Sequence, residues 1–318
     1  MYYNSFSGYL KKRFGEKVFR VCLDAGFTCP NRDGTCGVQG CAYCAPGSSW
    51  NNRWEGFPLH DQVRLGKEAI RKRYGANRFI AYFQAFTNTH APAGLLKDIY
   101  DSVLCGDREF VGLAIGTRPD CIDREKLALI QSYREHGLEV WVEYGLQTSN
   151  NRTLELINRG HTAEDFSSAV LLTKEYDILV SAHIIIGLPG EHREENLKTA
   201  RFVAGLPIDG IKIHNLNIVE GTRIAEMYKS GSVNPLALEE FSYRVVDFLE
   251  QLDPRVVVDR LVAETPASIL IEPKWSLNKQ AVLGAIAREF EKRKSFQGKH
   301  FSRNKRAGLR FTQDGESG

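Results

Sequence analysis

The sequence of 318 residues lacks several features that would assign a chain quickly to a class of protein. No apolar run approaches the ~20 residues that a membrane-spanning helix needs, and the first twenty residues contain no signal-peptide core. The composition is average, with 42% hydrophobic and 25% charged residues, which excludes disordered and low-complexity classes for most of the length. We therefore expect a globular protein located in the cytoplasm, without a membrane partner.

A disulfide framework is also absent, because the seven cysteines are few and unevenly placed for a chain of this length. Four of them (Cys29, Cys36, Cys41 and Cys44) fall within sixteen residues. In a reducing compartment, such a group binds metal or performs redox chemistry more often than it forms disulfides. The group contains only one C-x-x-C pair, whereas structural zinc sites typically use two. An iron–sulfur cluster with three thiolates, a zinc site and unliganded thiols all remain open from the spacing alone.

Strong net charge is missing as well, since the total is only +3. The segment Arg288–Arg310 nevertheless carries nine Lys and Arg against two Glu, and interleaved phenylalanines suit a phosphate-rich partner with bases to stack. The alternative is a solvated basic helix followed by a loose tail. A second basic run places Lys67, Arg71 and Arg78 on one predicted helical face, where a further phosphate contact is a hypothesis.

Short apolar runs alternate with amphipathic segments along most of the chain, as in parallel strands joined by helices. No G-x-G-x-x-G follows the first run, which argues against a dinucleotide fold. Polar residues follow each predicted strand, as at the active face of barrels, and we favour a barrel over an open doubly wound sheet. We predict an α/β fold with a partial (β/α)6 TIM-type barrel over residues 1–220 and a C-terminal extension, helical with a basic end, over residues 221–318. The predicted strands are Val18–Leu23, Phe79–Phe83, Phe110–Ile115, Val140–Leu146, Ile178–Ile186 and Ile211–Leu216, with Arg255–Leu261 as a further candidate; the predicted helices occupy 61–74, 92–104, 123–136, 162–176, 193–205, 236–252 and 278–293.

Three stretches of sequence resemble a known family. Residues 21–34 read VCLDAGFTCPNRDG and residues 40–44 read GCAYC, which together resemble the signature loop of YhcC/YtqA-type radical SAM proteins. Residues 82–89 (YFQAFTNT) and 273–279 (PKWSLNK) are also similar to that family. The resemblance extends over nearly the whole chain and implies a barrel of the radical SAM kind.

The same resemblance implies cofactors and their ligands. Cys29, Cys41 and Cys44 would hold a [4Fe-4S] cluster, and Cys36 would be an extra thiol. The open iron of the cluster would bind S-adenosylmethionine, whose reductive cleavage gives a 5′-deoxyadenosyl radical. An electron donor protein such as a flavodoxin or ferredoxin would be a partner.

A second resemblance, more distant, is to the radical module of the Elongator catalytic subunit. Thr117-Arg-Pro-Asp120, Val142–Thr148 and His183–Gly190 are similar to its strand-end motifs. Gly116 departs from the pattern, because the Elongator motif has a glutamate there. The resemblance implies tRNA as a partner, with chemistry at the wobble uridine. The extension offers no room for an acetyltransferase domain, so remodelling of an existing uridine side chain is expected rather than acetyl transfer.

Further cofactor contacts are implied by similarity to coproporphyrinogen oxidase-like enzymes. Gln147 and Arg159 match positions that bind S-adenosylmethionine there, and a planar guanidinium suits a carboxylate. Tyr43 should lie beside the adenine, while His183 and Gln84 are cofactor or substrate candidates. No catalytic residue is assigned.

Structural alternatives apply to several of these polar residues. Arg159 could cap a helix or pair with Glu155, and His183 could be a satisfied core histidine. Lys212 and its neighbour at 214 alternate on one face of a strand, so they could point inward, although a structural salt bridge for Lys212 is equally open. Glu143 within an apolar strand needs a partner, either Arg118 or a ligand.

Three functions follow from this reading. The first is a radical SAM enzyme that modifies a tRNA base. The second keeps the radical chemistry but acts on a small metabolite or a peptide. The third is a non-catalytic, zinc-stabilised module that binds nucleic acid.

Overall fold

The computed structural model describes residues 2–45, 54 and 56–302, and its centre is a curled parallel sheet. The first six strands of the described residues lie side by side in chain order, and the eighth strand follows the sixth at the edge of the sheet. The seventh strand is not part of this sheet. The predicted partial TIM-type barrel is thereby confirmed. The strands are β1 (Val18–Leu23), β2 (Arg78–Phe83), β3 (Phe110–Thr117), β4 (Glu139–Gln147), β5 (Leu179–Ile186), β6 (Gly210–Asn215), β7 (Ile218–Val219), β8 (Val257–Arg260) and β9 (Leu270–Glu272).

Helices follow the strands and cover the outer face of the sheet, close to where the sequence pattern predicts them. Asp123 and Thr162 act as the N-caps expected from sequence, and Thr162 forms a reciprocal capping box with Asp165. No helix of the described residues combines the length and apolarity needed to cross a membrane. The α-helices are α1 (Phe6–Phe14), α2 (Leu59–Tyr74), α3 (Ala93–Leu104), α4 (Arg124–Glu135), α5 (Asn151–Leu156), α6 (Ala163–Lys174), α7 (Arg193–Gly205), α8 (Arg223–Lys229), α9 (Leu238–Gln251) and α10 (Lys279–Lys292).

The strands are nearly continuous in apolar residues because both of their faces are covered. In β4 every residue is buried. Val142 and Tyr144 pack in the outer core under the helices, whereas Trp141 packs in the inner core of the barrel. Alternation along the strand therefore directs Glu143 to the interior as well.

Helix α1 closes the amino end of the barrel and was not predicted from the sequence. Ser5 caps it by accepting a hydrogen bond from the backbone of Gly8 at 3.2 Å. Leu10 belongs to the inner core, and the ring of Phe6 meets that of Trp141 edge-on at 5.9 Å. The barrel thus opens toward the carboxyl ends of its strands.

The C-terminal extension contributes to the barrel sheet. β8 pairs in parallel with β6, with Val257 opposite Gly210 and Val258 opposite Ile211. The candidate strand at Arg255–Leu261 is therefore real, and it adds a seventh strand to the six that we predicted. β7 and β9 form a separate antiparallel pair.

The described part of the C-terminal basic segment packs at the amino end of the barrel. Gln297 donates hydrogen bonds to the carbonyls of Asp253 and Val256, immediately before β8. Arg293 is neutralised by Asp247. The last four of the nine cations, Arg303, Lys305, Arg306 and Arg310, lie outside the described residues.

The three cations of the second basic run, for which a phosphate contact was a hypothesis, are paired with carboxylates. Lys67 is buried and paired with Asp107 and Glu109. Arg71 pairs with Glu109, and Arg78 with Glu16 at 3.4 Å. Lys67 and Arg71 are neutralised because α2 packs beside the acidic turn that precedes β3.

Candidate active site

A cavity of about 300 Å³ lies at the carboxyl ends of the strands. A larger hollow of about 550 Å³ lies at the opposite end of the barrel, but charged side chains there pair with each other, Arg13 with Glu139 and Arg134 with Asp177. The cavity at the carboxyl ends is therefore the better candidate for chemistry. It brings together all eight of the predicted site residues: Cys29, Cys41, Tyr43, Cys44, Gln84, Gln147, Arg159 and His183.

The cysteine loop after β1 is shaped by backbone hydrogen bonds. The backbone amides at positions 32 and 33 donate to the Cys29 carbonyl, and those of Cys36 and Gly37 donate to the Pro30 carbonyl. Gly40 has a φ of 69°, and a Cβ atom there would lie 2.9 Å from the side chain of Arg32. Cys36 is exposed and stands apart from the residues that line the cavity.

Arg159 reaches the cysteine pair from the loop after α5. Its Nη1 lies 3.5 Å from the sulfur of Cys41, and its Nη2 donates to the Gly145 carbonyl at 2.8 Å. The alternative pair with Glu155 is not formed within the described residues. The Nε of Arg159 is buried and has no hydrogen-bond partner in this part of the chain.

The pKa values of Cys41 and Cys44 are shifted in opposite directions. A hydrogen bond from Cys44 and the charge of Arg159 outweigh burial, and they hold the pKa of Cys41 well below its usual 9.0. The same hydrogen bond, together with burial, raises the pKa of Cys44 well above 9.0. Tyr43, between the two cysteines, is partly buried against the apolar cluster near Leu188.

The end of β4 makes room for Arg159 and Gln147. A Cβ atom at Gly145 would lie 2.5 Å from the Gln147 amide and 2.6 Å from the Arg159 guanidinium. Gln147 itself has a φ of 74°, a conformation that a non-glycine residue rarely adopts. The shift in strand register between Gly145 and Gln147 aims the Gln147 side chain at the cavity.

Below the cavity, five charged or titratable side chains form a layer that we call the ionic layer. Glu143 is fully buried at its centre, with Lys212 at 2.5 Å, Arg20 at 2.9 Å and His183 at 3.0 Å. Burial alone would raise the pKa of Glu143, but Lys212, Arg20 and His183 hold it well below 4.5. Asp259 completes the layer by pairing with Arg20.

The ionic layer settles several alternatives left open by the sequence. Glu143 does not pair with Arg118, which instead pairs with Asp120. Lys212 points inward and also forms a salt bridge, and His183 both lines the cavity and bonds to Glu143. Arg20 and Asp259 were missed, although a lone charge within an apolar strand is a signal that could have found them.

Two family models match the chain. The Radical SAM superfamily model matches residues 29–203, and the Radical_SAM C-terminal domain model matches residues 208–292. The chain belongs to the radical SAM superfamily, whose cofactors are a [4Fe-4S] cluster and S-adenosylmethionine. A non-catalytic zinc module is not a member of this family, so that alternative has no support.

Within the superfamily, the predicted YhcC/YtqA-type relationship is confirmed. YtqA of Bacillus subtilis, an uncharacterized protein, is 41% identical over 95% of this chain and 93% of its own length. A tRNA uridine(34) acetyltransferase of Dehalococcoides mccartyi is 31% identical over 55% of this chain and 41% of its own length. The Elp3 protein of Methanocaldococcus infernus, solved with an N-terminal deletion, has a TM-score of 0.68 at 21% identity, covering 88% of this chain and 64% of that one.

The residues around the cavity fit these cofactors chemically. Three thiols on one loop provide soft ligands for iron, although no three His, Cys, Asp or Glu side chains of the described chain converge as ligands of a single metal ion would. The unpartnered Nε of Arg159 offers a buried donor for an anionic group of the second cofactor. The missing Cβ at Gly145 leaves space for that arginine.

Proposed function

We propose that this protein is a radical SAM enzyme that modifies a tRNA base, remodelling the side chain of a wobble uridine. The observation that carries the radical part is the meeting of Cys29, Cys41 and Cys44 with Arg159 in one cavity of a superfamily member. The tRNA part is supported by the D. mccartyi relative, which is a tRNA uridine(34) acetyltransferase.

We assign roles to the cavity residues from their positions. Cys29, Cys41 and Cys44 would hold the cluster, which with S-adenosylmethionine supplies a 5′-deoxyadenosyl radical able to abstract a substrate hydrogen. Arg159 would bind the carboxylate of S-adenosylmethionine, because its free Nε and the Nη groups can donate to an oxyanion. Gln147 would donate to the same cofactor from the end of β4.

The remaining residues shape the cavity rather than react. Tyr43, partly buried beside Cys41, would cover the adenine and exclude water. Gln84 at the end of β2 would contact cofactor or substrate. His183 is held by Glu143 at 3.0 Å, so its ring is oriented by the ionic layer.

Acetyl transfer is not part of the proposal. The chain aligns with 41% of the acetyltransferase relative, and over residues 208–292 it matches the Radical_SAM C-terminal domain. Gly116 leaves no carboxylate at the position where the Elongator motif has one; it lies against the backbone at the end of β2, where a Cβ atom would be 3.3 Å from the Phe83 carbonyl. We therefore propose chemistry at the uridine that differs from that of Elongator.

A small-molecule substrate is the second candidate. It is favoured by the position of the basic segments, because Lys67, Arg71 and Arg293 are neutralised by carboxylates. The described part of the C-terminal basic segment also lies at the barrel end opposite the cavity. On this reading the cavity would admit a metabolite or peptide without any tRNA surface.

Nucleoside mass spectrometry tests the proposal most directly. We expect tRNA from cells lacking this protein to accumulate one uridine derivative, which the anaerobically reconstituted enzyme converts when given a reduced flavodoxin or ferredoxin. Complementation with the Cys41→Ala variant is the matched control and should leave the precursor unconverted. An unchanged nucleoside profile in the deletion strain would refute the tRNA substrate and favour the small-molecule candidate.

Salt dependence provides a second check on the tRNA partner. Phosphate contacts weaken steeply as salt rises, so binding of tRNA should be strongest at low ionic strength. Failure of tRNA to bind even at low salt would contradict the proposal, whereas cofactor cleavage without tRNA would leave the radical SAM chemistry intact.

A further inference from the structure

One cation that lines the cavity lacks a carboxylate partner in the described chain, unlike the cations of the ionic layer. Arg260, at the end of β8, lines the cavity but has no carboxylate partner and no hydrogen-bond acceptor among the described residues. Arg20 and Lys212, its neighbours in the ionic layer, are both paired with Glu143. Arg260 is partly exposed and faces the cavity with its guanidinium unpaired within this part of the chain, so it is available to bind an anionic ligand there.

His214 lies on the adjacent strand and has a free ring nitrogen. Its Nε2 is buried without a hydrogen-bond partner in the described chain, whereas the Nε2 of His183 is occupied by Glu143. The two rings stack with centroids 5.6 Å apart. Burial, followed by the charges of His183 and Arg260, holds the pKa of His214 well below 6.5, so the ring is neutral.

The carboxylates that line the cavity cannot serve Arg260. Glu143 is taken by the ionic layer, and Glu264 pairs with Lys279 at 3.0 Å. The second of these pairs joins the segment after β8 to the first residue of α10. Within the described residues, the β6–β8 side of the cavity thus keeps an uncompensated positive charge.

Side-chain hydrogen bonds fix the segment after β8, which follows Arg260, against the end of β6. The Asn215 side chain accepts a hydrogen bond from the backbone of Ala263 at 2.9 Å, and the Asn217 side chain donates to Thr265 at 2.7 Å. These bonds tie the segment after β8 to the end of β6. A preorganised wall of this kind is suited to recognition, because its groups need little reordering when a ligand binds.

We propose that Arg260 and His214 form a subsite that binds an oxyanion of the substrate, either a carboxylate or a phosphate. Arg260 supplies the charge and a planar pair of donors, and His214 supplies one neutral N–H donor. Arg260 and His214 lie on the β6–β8 side of the cavity, whereas Arg159, which we assign to the cofactor, reaches the cavity from the loop after α5. This inference rests on the proposed function, since it concerns the substrate of the same cavity.

An anion probe tests the subsite without any assumption about tRNA. Crystals of the reconstituted enzyme with S-adenosylmethionine bound, soaked in selenate, should show an anomalous peak between Arg260 and His214. Arg260→Gln should abolish the peak, whereas Arg255→Gln, a matched control that removes a surface arginine paired with Asp253, should keep it. Displacement of selenate by acetate or by inorganic phosphate distinguishes the two oxyanions. The absence of a peak in the wild type overturns the proposal.

Turnover on total tRNA from deletion cells tests the role in substrate binding. Arg260→Gln should raise the KM for tRNA about tenfold or more, as loss of a charge-assisted hydrogen bond does. Arg260→Lys should lower the KM for tRNA part of the way back to the wild-type value. His214→Phe, which keeps the ring stack, should raise the KM less than Arg260→Gln does. The Kd for S-adenosylmethionine should change much less than in Arg159→Ala; an equal loss would assign Arg260 to the cofactor and refute the subsite. If tRNA never stimulates the wild type, the proposed function fails while the selenate result still decides the subsite.

Discussion

The ionic layer and the cysteine loop lie a few side chains apart in one barrel, yet they handle charge in opposite ways. Around Glu143 every charge has a counter-charge, because Arg20 and Lys212 contact its two oxygens. Among the described residues, the cation that acts on Cys41 is Arg159, whose Nε has no hydrogen-bond partner. Charge that is balanced within the protein supports the fold, whereas unbalanced charge beside a cavity is available to a ligand.

Exchanging cysteines should have the largest effect, because it removes iron ligands altogether. We expect Cys29→Ala, Cys41→Ala and Cys44→Ala each to lose the cluster, while the exposed Cys36→Ala keeps it. Iron and sulfide content after anaerobic reconstitution measures this. Equal iron loss in all four variants would show that Cys36 is a ligand and that the assignment of three is wrong.

Removing the central charge of the ionic layer should cost stability rather than cofactor. Glu143→Gln leaves Arg20 and Lys212 facing a neutral amide, and breaking a buried pair in this way costs about 3–5 kcal/mol. The free energy of unfolding in urea measures the loss, with the exposed Glu164→Gln as the control. Adding Lys212→Met to the Glu143→Gln variant should recover part of the lost free energy of unfolding. A variant as stable as wild type would mean that the layer is not structural.

Glu191 is a buried carboxyl whose hydrogen-bond donors in the described chain are neutral side chains, among them Thr148 and Asn196. Burial raises its pKa to about 7, while hydrogen bonds from Thr148 and Thr153 lower it less. Between pH 4.5 and 7 the unfolded chain ionises this carboxyl and the folded chain keeps it protonated. The free energy of unfolding should therefore fall as pH rises through this window, by up to ~3 kcal/mol at 1.36 kcal/mol per pKa unit.

Glu191→Gln should remove this pH dependence, because the amide cannot ionise. Urea unfolding at pH 5 and pH 7 measures the difference between variant and wild type. The exposed Glu194→Gln should keep the wild-type dependence. Identical pH profiles for Glu191→Gln and wild type would contradict the raised pKa.

Arg159→Ala should have the smallest effect on the protein itself, since it removes a ligand contact and no ligand of iron. We expect full iron content with ten- to a hundredfold weaker binding of S-adenosylmethionine, about what a charge-assisted hydrogen bond contributes. The amount of 5′-deoxyadenosine formed and the Kd for the cofactor measure this. Arg159→Lys should not rescue binding, because an ammonium lacks the planar fork. Wild-type cleavage in Arg159→Ala would return this residue to a structural role.

Local patterns in the sequence were sufficient for most of the fold. β1 occupies Val18–Leu23 as predicted, and the capping box at Thr162 marks the start of α6. The cysteine spacing left three kinds of site open, and the family resemblance of the residues around the cysteines predicted the iron–sulfur chemistry. These features are readable because strand alternation, helix capping and ligand spacing each involve residues close together in the chain.

Only the tertiary structure decided which distant groups meet. Arg20 and Asp259 pair across 239 positions of sequence, and β8 joins the barrel from within the extension. Helix α1 closes the barrel, although its short pattern did not reveal a helix. Partners at such separations are set by strand register and packing, which no short window contains. The sequence by itself therefore determined the barrel and its cysteine loop, and the folded chain determined which charges are neutralised and that Arg260 is left facing the cavity.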